Sequence, residues 1–192
     1  MHFRDIVTKS RSYRRYDSRV PVTEDTVRDL IELSCYVPSQ KNLQPLKYIP
    51  VSEPAMVDAL FPALSWAGYL ADWPGPSDGE RPAAYIVMLG DHSISTDFGC
   101  SSGIAAQTIL LGAAASGIGG CIVATLDRPA IQQLLAIPDG FSIIMVIALG
   151  KPIETVVIDQ MSPNDSVRYF RDAHGIHHVP KRTLDEVLMK FH

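Results

Sequence analysis

The sequence predicts an α+β sandwich, and three observations predict it. Apolar runs of strand length occur at residues 46–51, 83–89 and 142–149. A long segment rich in Ala and Gly, residues 98–116, reads as a helix whose small residues let a neighbour approach closely, which places it at the centre. The order of helical and strand patterns is mixed rather than a regular alternation, so a doubly wound sheet is not expected and helices should outnumber strands.

Taken in order, residues 2–9 suit a short helix, followed by the basic cluster Arg11-Ser12-Tyr13-Arg14-Arg15. Thr23 is a plausible N-cap, with Glu24 and Asp25 where the helix dipole favours acids. Val27, Leu30, Ile31 and Ser34 then share a face, giving an amphipathic helix over residues 24–36. Pro38 disfavours helical geometry at Val37 and stops it, while Pro45 should push Gln44 to an extended conformation. Residues 46–51 follow as a strand, and Pro50 argues that it lies at a sheet edge or that pairing ends there. Pro54 opens a short helix to about Phe61. Residues 62–82, rich in Pro, Gly, Trp and Asp, form a loop long enough to be functional or mobile.

After the buried strand 83–89 and the central helix comes the Gly117-Ile118-Gly119-Gly120 break, then a short strand over residues 121–126. Asp127 caps a helix that begins near Pro129 and carries Ile131, Leu134 and Leu135. The strand 142–149 closes with Gly150-Lys151-Pro152. The tail passes Val156-Val157-Ile158 and His177-His178-Val179-Pro180-Lys181-Arg182 without a clear period, and Thr183 with Glu186 makes a capping box for a last helix.

A chain of 192 residues, 46% hydrophobic and 20% charged, suits a single domain over residues 1–192. A net charge of -4 argues against nucleic-acid binding through bulk charge. The distribution says more. Of 17 Lys and Arg residues, six lie in the first nineteen positions, and five (Arg168, Arg171, Lys181, Arg182, Lys190) lie after position 167. Three cysteines with no CxxC fit a reducing compartment, and no apolar run follows Met1-His2-Phe3-Arg4-Asp5. The expected location is the cytoplasm. No charged residue occurs between Asp97 and Asp127, but Ser101, Ser102, Gln107, Thr108 and six glycines make this a buried helix rather than a membrane span.

Several motifs could carry chemistry. Gly99-Cys100-Ser101-Ser102-Gly103 matches the G-x-S-x-G elbow of serine hydrolases, but no strand runs straight into the serine. Gly117-Ile118-Gly119-Gly120 follows a helix instead of a strand, so a helix C-cap and turn outweighs a dinucleotide loop. His174, His177 and His178 lack a cysteine pair at zinc spacing and read as surface or packing residues. Pro38-Ser39-Gln40-Lys41-Asn42-Leu43-Gln44-Pro45 is the most informative stretch. Ser39, Gln40, Asn42 and Gln44 offer donors and acceptors without charge, which suits a neutral heterocycle and a polyol. Arg11, Ser12 and Arg14 can converge on a phosphate, as can Lys181 and Arg182 beside Pro180. The aromatics Tyr13, Tyr16, Trp66, Tyr69 and Trp73 could stack on a flat ligand or simply fill core and surface.

These motifs together resemble the nitroreductase family of FMN-dependent oxidoreductases, over nearly the whole chain. Arg11-Ser12-Tyr13-Arg14 resembles its N-terminal phosphate-binding segment, the Pro38–Pro45 stretch its P-S-x-x-N-x-Q-P loop, and Pro180-Lys181-Arg182 its C-terminal phosphate contacts. The resemblance implies a central antiparallel or mixed sheet flanked by helices, in a homodimer with two FMN molecules at the interface. It implies phosphate ligation by Arg11, Ser12, Arg14, Lys181 and Arg182, and flavin and ribityl contacts from Ser39, Gln40, Asn42 and Gln44. The backbone around Cys121, Ile122 and Ala124 would lie by the flavin N5. No obligatory acid or base side chain is implied, since FMN N5 takes hydride from NADH or NADPH and passes it, ping-pong, to a nitroaromatic or quinone acceptor. No metal, nucleic acid or membrane is implied. Alternatives are a flavin carrier or sensor without turnover, or a dehalogenase or flavin-cleaving relative. The sequence departs from the family in Ser10, where many members carry a second arginine, and in Ala124, where some carry an acid.

Overall fold

The computed structural model describes residues 2–189, so Lys190 of the basic C-terminal end lies outside them. They pack as two compact units, one made of the residues up to Trp66 with Gly75–Ile153, the other of Ala67–Pro74 with the residues from Glu154 on.

In the first unit α1 (Phe3–Lys9) starts from a capping box between His2 and Asp5. The helix α2 (Glu24–Glu32) is capped by Thr23, whose hydroxyl accepts from the Thr26 N–H, and buries Val27 and Leu30. It is shorter than the predicted 24–36, because residues Leu33–Tyr36 tighten into a 3-10 turn ahead of Pro38. Strand β1 (Leu46–Val51), helix α3 (Pro54–Leu60) and strand β2 (Ala84–Asp91) follow as expected, with Pro at the first turn of α3. The long helix is α4 (Gly99–Ala115). After it come β3 (Gly119–Val123), α5 (Arg128–Leu134), capped by Asp127, and β4 (Phe141–Gly150).

The sheet has the order β1-β2-β4-β3 and every pair is antiparallel. Strand β1 is therefore an edge, which is why Pro50 is tolerated there. All eight residues of β2 are buried, so helices must cover both faces. On one face Ala84, Ile86 and Met88 join Val27 and Leu30 of α2 and Ala105, Ala106 and Ile109 of α4. The alternate residue Tyr85 faces the other way, near Asp58 of α3, and burial pushes its phenol well above the usual range. The small residues of α4 do what their size suggests: a side chain at Gly112 would run into Leu33. Gly117, at φ +74°, ends α4 in a Schellman motif, with Ile118 N–H donating to the Ala113 carbonyl at 2.8 Å and Gly117 N–H to that of Ala114 at 3.2 Å.

The second unit holds a three-stranded sheet that the sequence did not announce: β5 (Val156–Gln160), β6 (Phe170–Arg171) and β7 (His177–Lys181), in the order β5-β7-β6. With it, seven strands stand beside six α-helices and four 3-10 turns among the described residues. The last helix, α6 (Leu184–Val187), has the predicted Thr183/Glu186 capping box. Part of the predicted 62–82 loop belongs to this unit. Its Tyr69 packs on Tyr169 with ring centroids 4.9 Å apart, and the Arg171 guanidinium lies 4.7 Å from the Trp73 ring centroid. Arg171 also pairs at 3.1 Å with the buried carboxylate of Glu154.

His178 sits between two carboxylates, its Nδ1 2.9 Å from Asp159 and its Nε2 3.5 Å from Asp172. The bond to Asp159 is the chief cause that raises its pKa above the ordinary 6.5. A raised folded-state value means that this pairing stabilises the unit fully below about pH 6.5 and is lost as pH climbs through the folded pKa. An NMR titration of the His178 imidazole should show the elevated midpoint, and Asp159→Asn should bring it down. A midpoint unmoved by that substitution would refute the pairing.

Candidate functional site

The loop between Pro38 and Pro45 is shaped by hydrogen bonds within it and by one to α4. Val37 is extended, at φ -101° and ψ 155°, as a residue before proline should be. Residues Gln40–Asn42 then form a 3-10 turn, and Lys41, Asn42 and Gln44 all take left-handed backbone angles, at φ 50°, 55° and 54°. Gln44 therefore corrects the expectation of an extended residue before Pro45. The reason is local: its N–H donates to Ser39 Oγ at 2.9 Å and its side-chain amide to the Asn42 carbonyl at 3.2 Å, which curls the chain back before the buried Pro45. Ser39, Asn42 and Gln44 line a hollow of about 230 Å³ with Tyr48 of β1 and Ser101 and Ala105 of α4. Gln40 is not among the lining residues; its N–H donates instead to Ser101 Oγ at 2.9 Å.

A second group forms where the N-terminal segment runs beside β3. Ser12 bridges to Gly120 in parallel fashion, and the Tyr13 N–H donates to the Gly120 carbonyl at 3.1 Å. Tyr16 is fully buried and its hydroxyl donates to the Tyr13 carbonyl, so this aromatic belongs to the core. Arg11 donates through Nη2 to the Val7 carbonyl at 2.9 Å, while its Nε is buried without a partner. Arg14 donates to the Ser12 carbonyl at 3.2 Å. The Arg11 guanidinium is thus held against the last turn of α1 and that of Arg14 beside Ser12.

Strand β3 begins two residues earlier than predicted and ends at Val123 instead of residue 126. Its pairing runs from Gly119 opposite Gly150 to Val123 opposite Val146. Beyond that point the Ala124 carbonyl accepts from Arg128 and the Thr125 carbonyl from the Ser65 N–H, so the chain has left the sheet. Cys121 is buried, whereas Ile122 is 39% exposed and Ala124 is exposed. Lys181 ends β7 and Arg182 precedes α6, both exposed in the second unit.

The two groups in the first unit lie toward opposite ends of α4. Ser101, in its first turn, holds the Pro38 loop, whereas Leu110 touches Gly120 beside Ser12. Nine residues of α-helix separate them, about 13 Å along the axis. The G-x-S-x-G motif makes no hydrolase elbow: Ser101 is 3% exposed within a helix, and β2 ends at Asp91, well before Gly99. Among the described residues no group of His, Cys, Asp or Glu is placed to hold a metal ion, and no helix is long and apolar enough to cross a membrane. Cys35 and Cys100 are exposed and Cys121 is buried.

A model of the nitroreductase family matches residues 7–75 and 80–151. The chain belongs to that family. Both groups of residues described above lie inside the matched region, and Lys181 and Arg182 lie outside it. A nitroreductase relative from Archaeoglobus fulgidus, provisionally named an NADH dehydrogenase/NAD(P)H nitroreductase, is 27% identical over 152 residues, covering 74% of this chain and 80% of its own. Among solved structures, a nitroreductase family protein from Clostridium novyi NT superposes with a TM-score of 0.67 at 24% identity, covering 79% of this chain and 86% of that one. The NADPH:FMN oxidoreductase from Vibrio harveyi, complexed with NAD+, gives 0.62 at 21% identity, covering 79% and 69%. An FMN-dependent nitroreductase from Clostridium difficile R20291 gives 0.62 at 21% identity, covering 83% and 91%. The nitroreductase fold with its antiparallel sheet between helices is thereby established for this chain.

Proposed function

We propose that this chain is an FMN-dependent oxidoreductase that takes hydride from NADH or NADPH and delivers it, ping-pong, to an electron-poor acceptor of nitroaromatic or quinone type. It acts as a cytoplasmic homodimer of single-domain chains. The observation that carries this reading is an uncharged polar hollow beside the first turns of α4 together with a separate cationic segment, Arg11 to Arg14, that runs beside β3. FMN has the same division, a neutral ring and polyol at one end and a dianionic phosphate at the other.

The residues present fit such a group. Arg11 has a buried Nε–H with no protein partner, beside Ser12 and near Arg14, and a phosphate oxygen supplies the missing acceptor. Lys181 and Arg182 add the remaining charge in this reading. Ser39, Gln40, Asn42 and Gln44 meet ring and ribityl polar atoms by side chain or backbone, and the strand around Cys121, Ile122 and Ala124 flanks the ring. When bound, FMN supplies the hydride carrier, which no side chain of the chain can replace. The protein's tasks are to hold the ring flat, present donors to its polar atoms and exclude water.

A hollow of about 230 Å³ is smaller than the ~300–1,000 Å³ usual for ligand pockets, which supports completion of the site by a second copy. Tyr36 and Leu43, on either side of the loop's turn, are 73% and 42% exposed and suit such an interface. The relatives named for NAD(P)H and FMN support the donor and the cofactor.

The test is an anaerobic spectrum of the purified protein, followed by NADH, NADPH and then a quinone. Flavin bands that bleach with a donor and return with the acceptor are expected, from a protein that elutes as a dimer. A colourless protein that takes up no added FMN would overturn the reading, and a flavin that neither donor bleaches would leave a carrier or sensor.

A further inference from the structure

Ser101 stands in a motif that the proposed reaction does not use, yet it is among the most buried polar residues of the chain, at 3% exposure. Its neighbour Ser102 donates to the Gly99 carbonyl at 2.9 Å, inside its own helix. Ser101 turns outward from α4 instead. Its Oγ accepts the Gln40 N–H at 2.9 Å and lies 3.4 Å from Ser39 Oγ, which in turn accepts the Gln44 N–H at 2.9 Å. Two backbone amides of the loop, one on each side of its left-handed turn, therefore end on a pair of serine hydroxyls.

Proton counting gives the consequence. A hydroxyl carries one proton and two lone pairs. Each serine already accepts from a backbone N–H, so each keeps its own proton. At 3.4 Å one of them can donate weakly to the other, and the second proton then has no acceptor among the described residues. Both side chains line the hollow, so the group that satisfies this proton is an acceptor atom of whatever occupies it. The anchor is rigid, since Ala105, Ala106 and Ile109 of the same helix are packed into the core. The loop is not self-sufficient, with three residues other than glycine at positive φ.

We propose that Ser101 is a positioning residue: it ties the Pro38–Pro45 loop to the central helix through Gln40 and aims the Ser39 hydroxyl at an acceptor atom of the bound ligand. The ligand part rests on the FMN reading; the loop part does not.

Two measurements test it. In the apo protein, Ser101→Ala should speed amide hydrogen exchange at Gln40 and Gln44 by about tenfold, the scale of one lost hydrogen bond, while β2 amides keep their protection. Titrated with FMN, Ser101→Ala should weaken binding by about tenfold, and the Ser39→Ala/Ser101→Ala double variant should lose less than the two single losses combined, because part of the Ser101 effect runs through Ser39. Additive losses would overturn the coupling to Ser39, and unchanged loop exchange would overturn the tether. If the wild-type chain takes up no FMN, the function proposed above fails, and the exchange experiment still decides whether Ser101 holds the loop.

Discussion

Arg11→Ala is expected to weaken FMN binding by about ten- to a hundredfold, the range for a charge-assisted hydrogen bond to an anion. The melting temperature should hardly move. Among the described residues the guanidinium bonds to the Val7 carbonyl near the end of α1 and keeps a buried Nε–H without a partner. Removing it deletes one contact and one unsatisfied donor, and these act in opposite directions on stability. Asn42→Ala should also lower retention, by about tenfold, since an amide carries no charge. Titration of the apo variants with FMN, beside thermal melts, checks both. Purification of fully flavinated Arg11→Ala and Asn42→Ala proteins would remove these residues from the site.

Gly120→Val should damage both fold and site. A Cβ at this position would lie 2.5 Å from Leu110 Cδ2, 3.0 Å from the Ala148 carbonyl and 3.1 Å from Leu149 Cδ2. The leucine tips can turn aside. The carbonyl cannot, because it belongs to β4 opposite Cys121. Overpacking of this kind costs about 1–3 kcal/mol, or a fall of roughly 3–10 °C in melting temperature at this chain length. Flavin affinity should fall as well, since Ser12 bridges to Gly120 and Tyr13 bonds its carbonyl. Gly103→Ala is the control: nothing lies within 4 Å of its added methyl, and a helical glycine replaced by alanine gains about 0.5–1 kcal/mol. Equal melting of Gly120→Val and wild type would contradict the packing described for β3.

What could be read from the sequence was largely local. Thr23, Asp127 and the Thr183/Glu186 pair announce helix starts because a cap needs only a side chain and an amide three residues on. Pro38 and Pro50 act through their own rings, and both did so as predicted. What failed depended on distant partners. Strand β6 has two residues and exists only because β7 pairs with it, and β5 and β7 are parallel neighbours joined through a polar, irregular stretch. Strand β3 begins at Gly119 because Gly150 of β4, on the far side of α5, lies opposite it. Gln44 contradicted the rule for residues before proline because two hydrogen bonds within the loop outweighed it. The residues proposed for the site come mostly from the Pro38 loop and the basic N-terminal segment, both legible as local motifs. Ser101 was noticed for the wrong chemistry, since its partner Gln40 lies 61 positions away and no periodicity connects them.

The left-handed residues of the loop separate two properties that engineers often treat as one. Glycine at position 41 would relieve backbone strain of about 1–2 kcal/mol but add chain entropy of about 0.5–1 kcal/mol to be lost on folding. The two changes nearly offset each other, so a thermal screen would register little. Cofactor loading would register a great deal, because the turn that presents Asn42 and Gln44 would no longer be held in one shape. Under the function proposed above, a library of this protein ranked by heat resistance alone would therefore keep variants that no longer bind FMN, and colour is the better sieve.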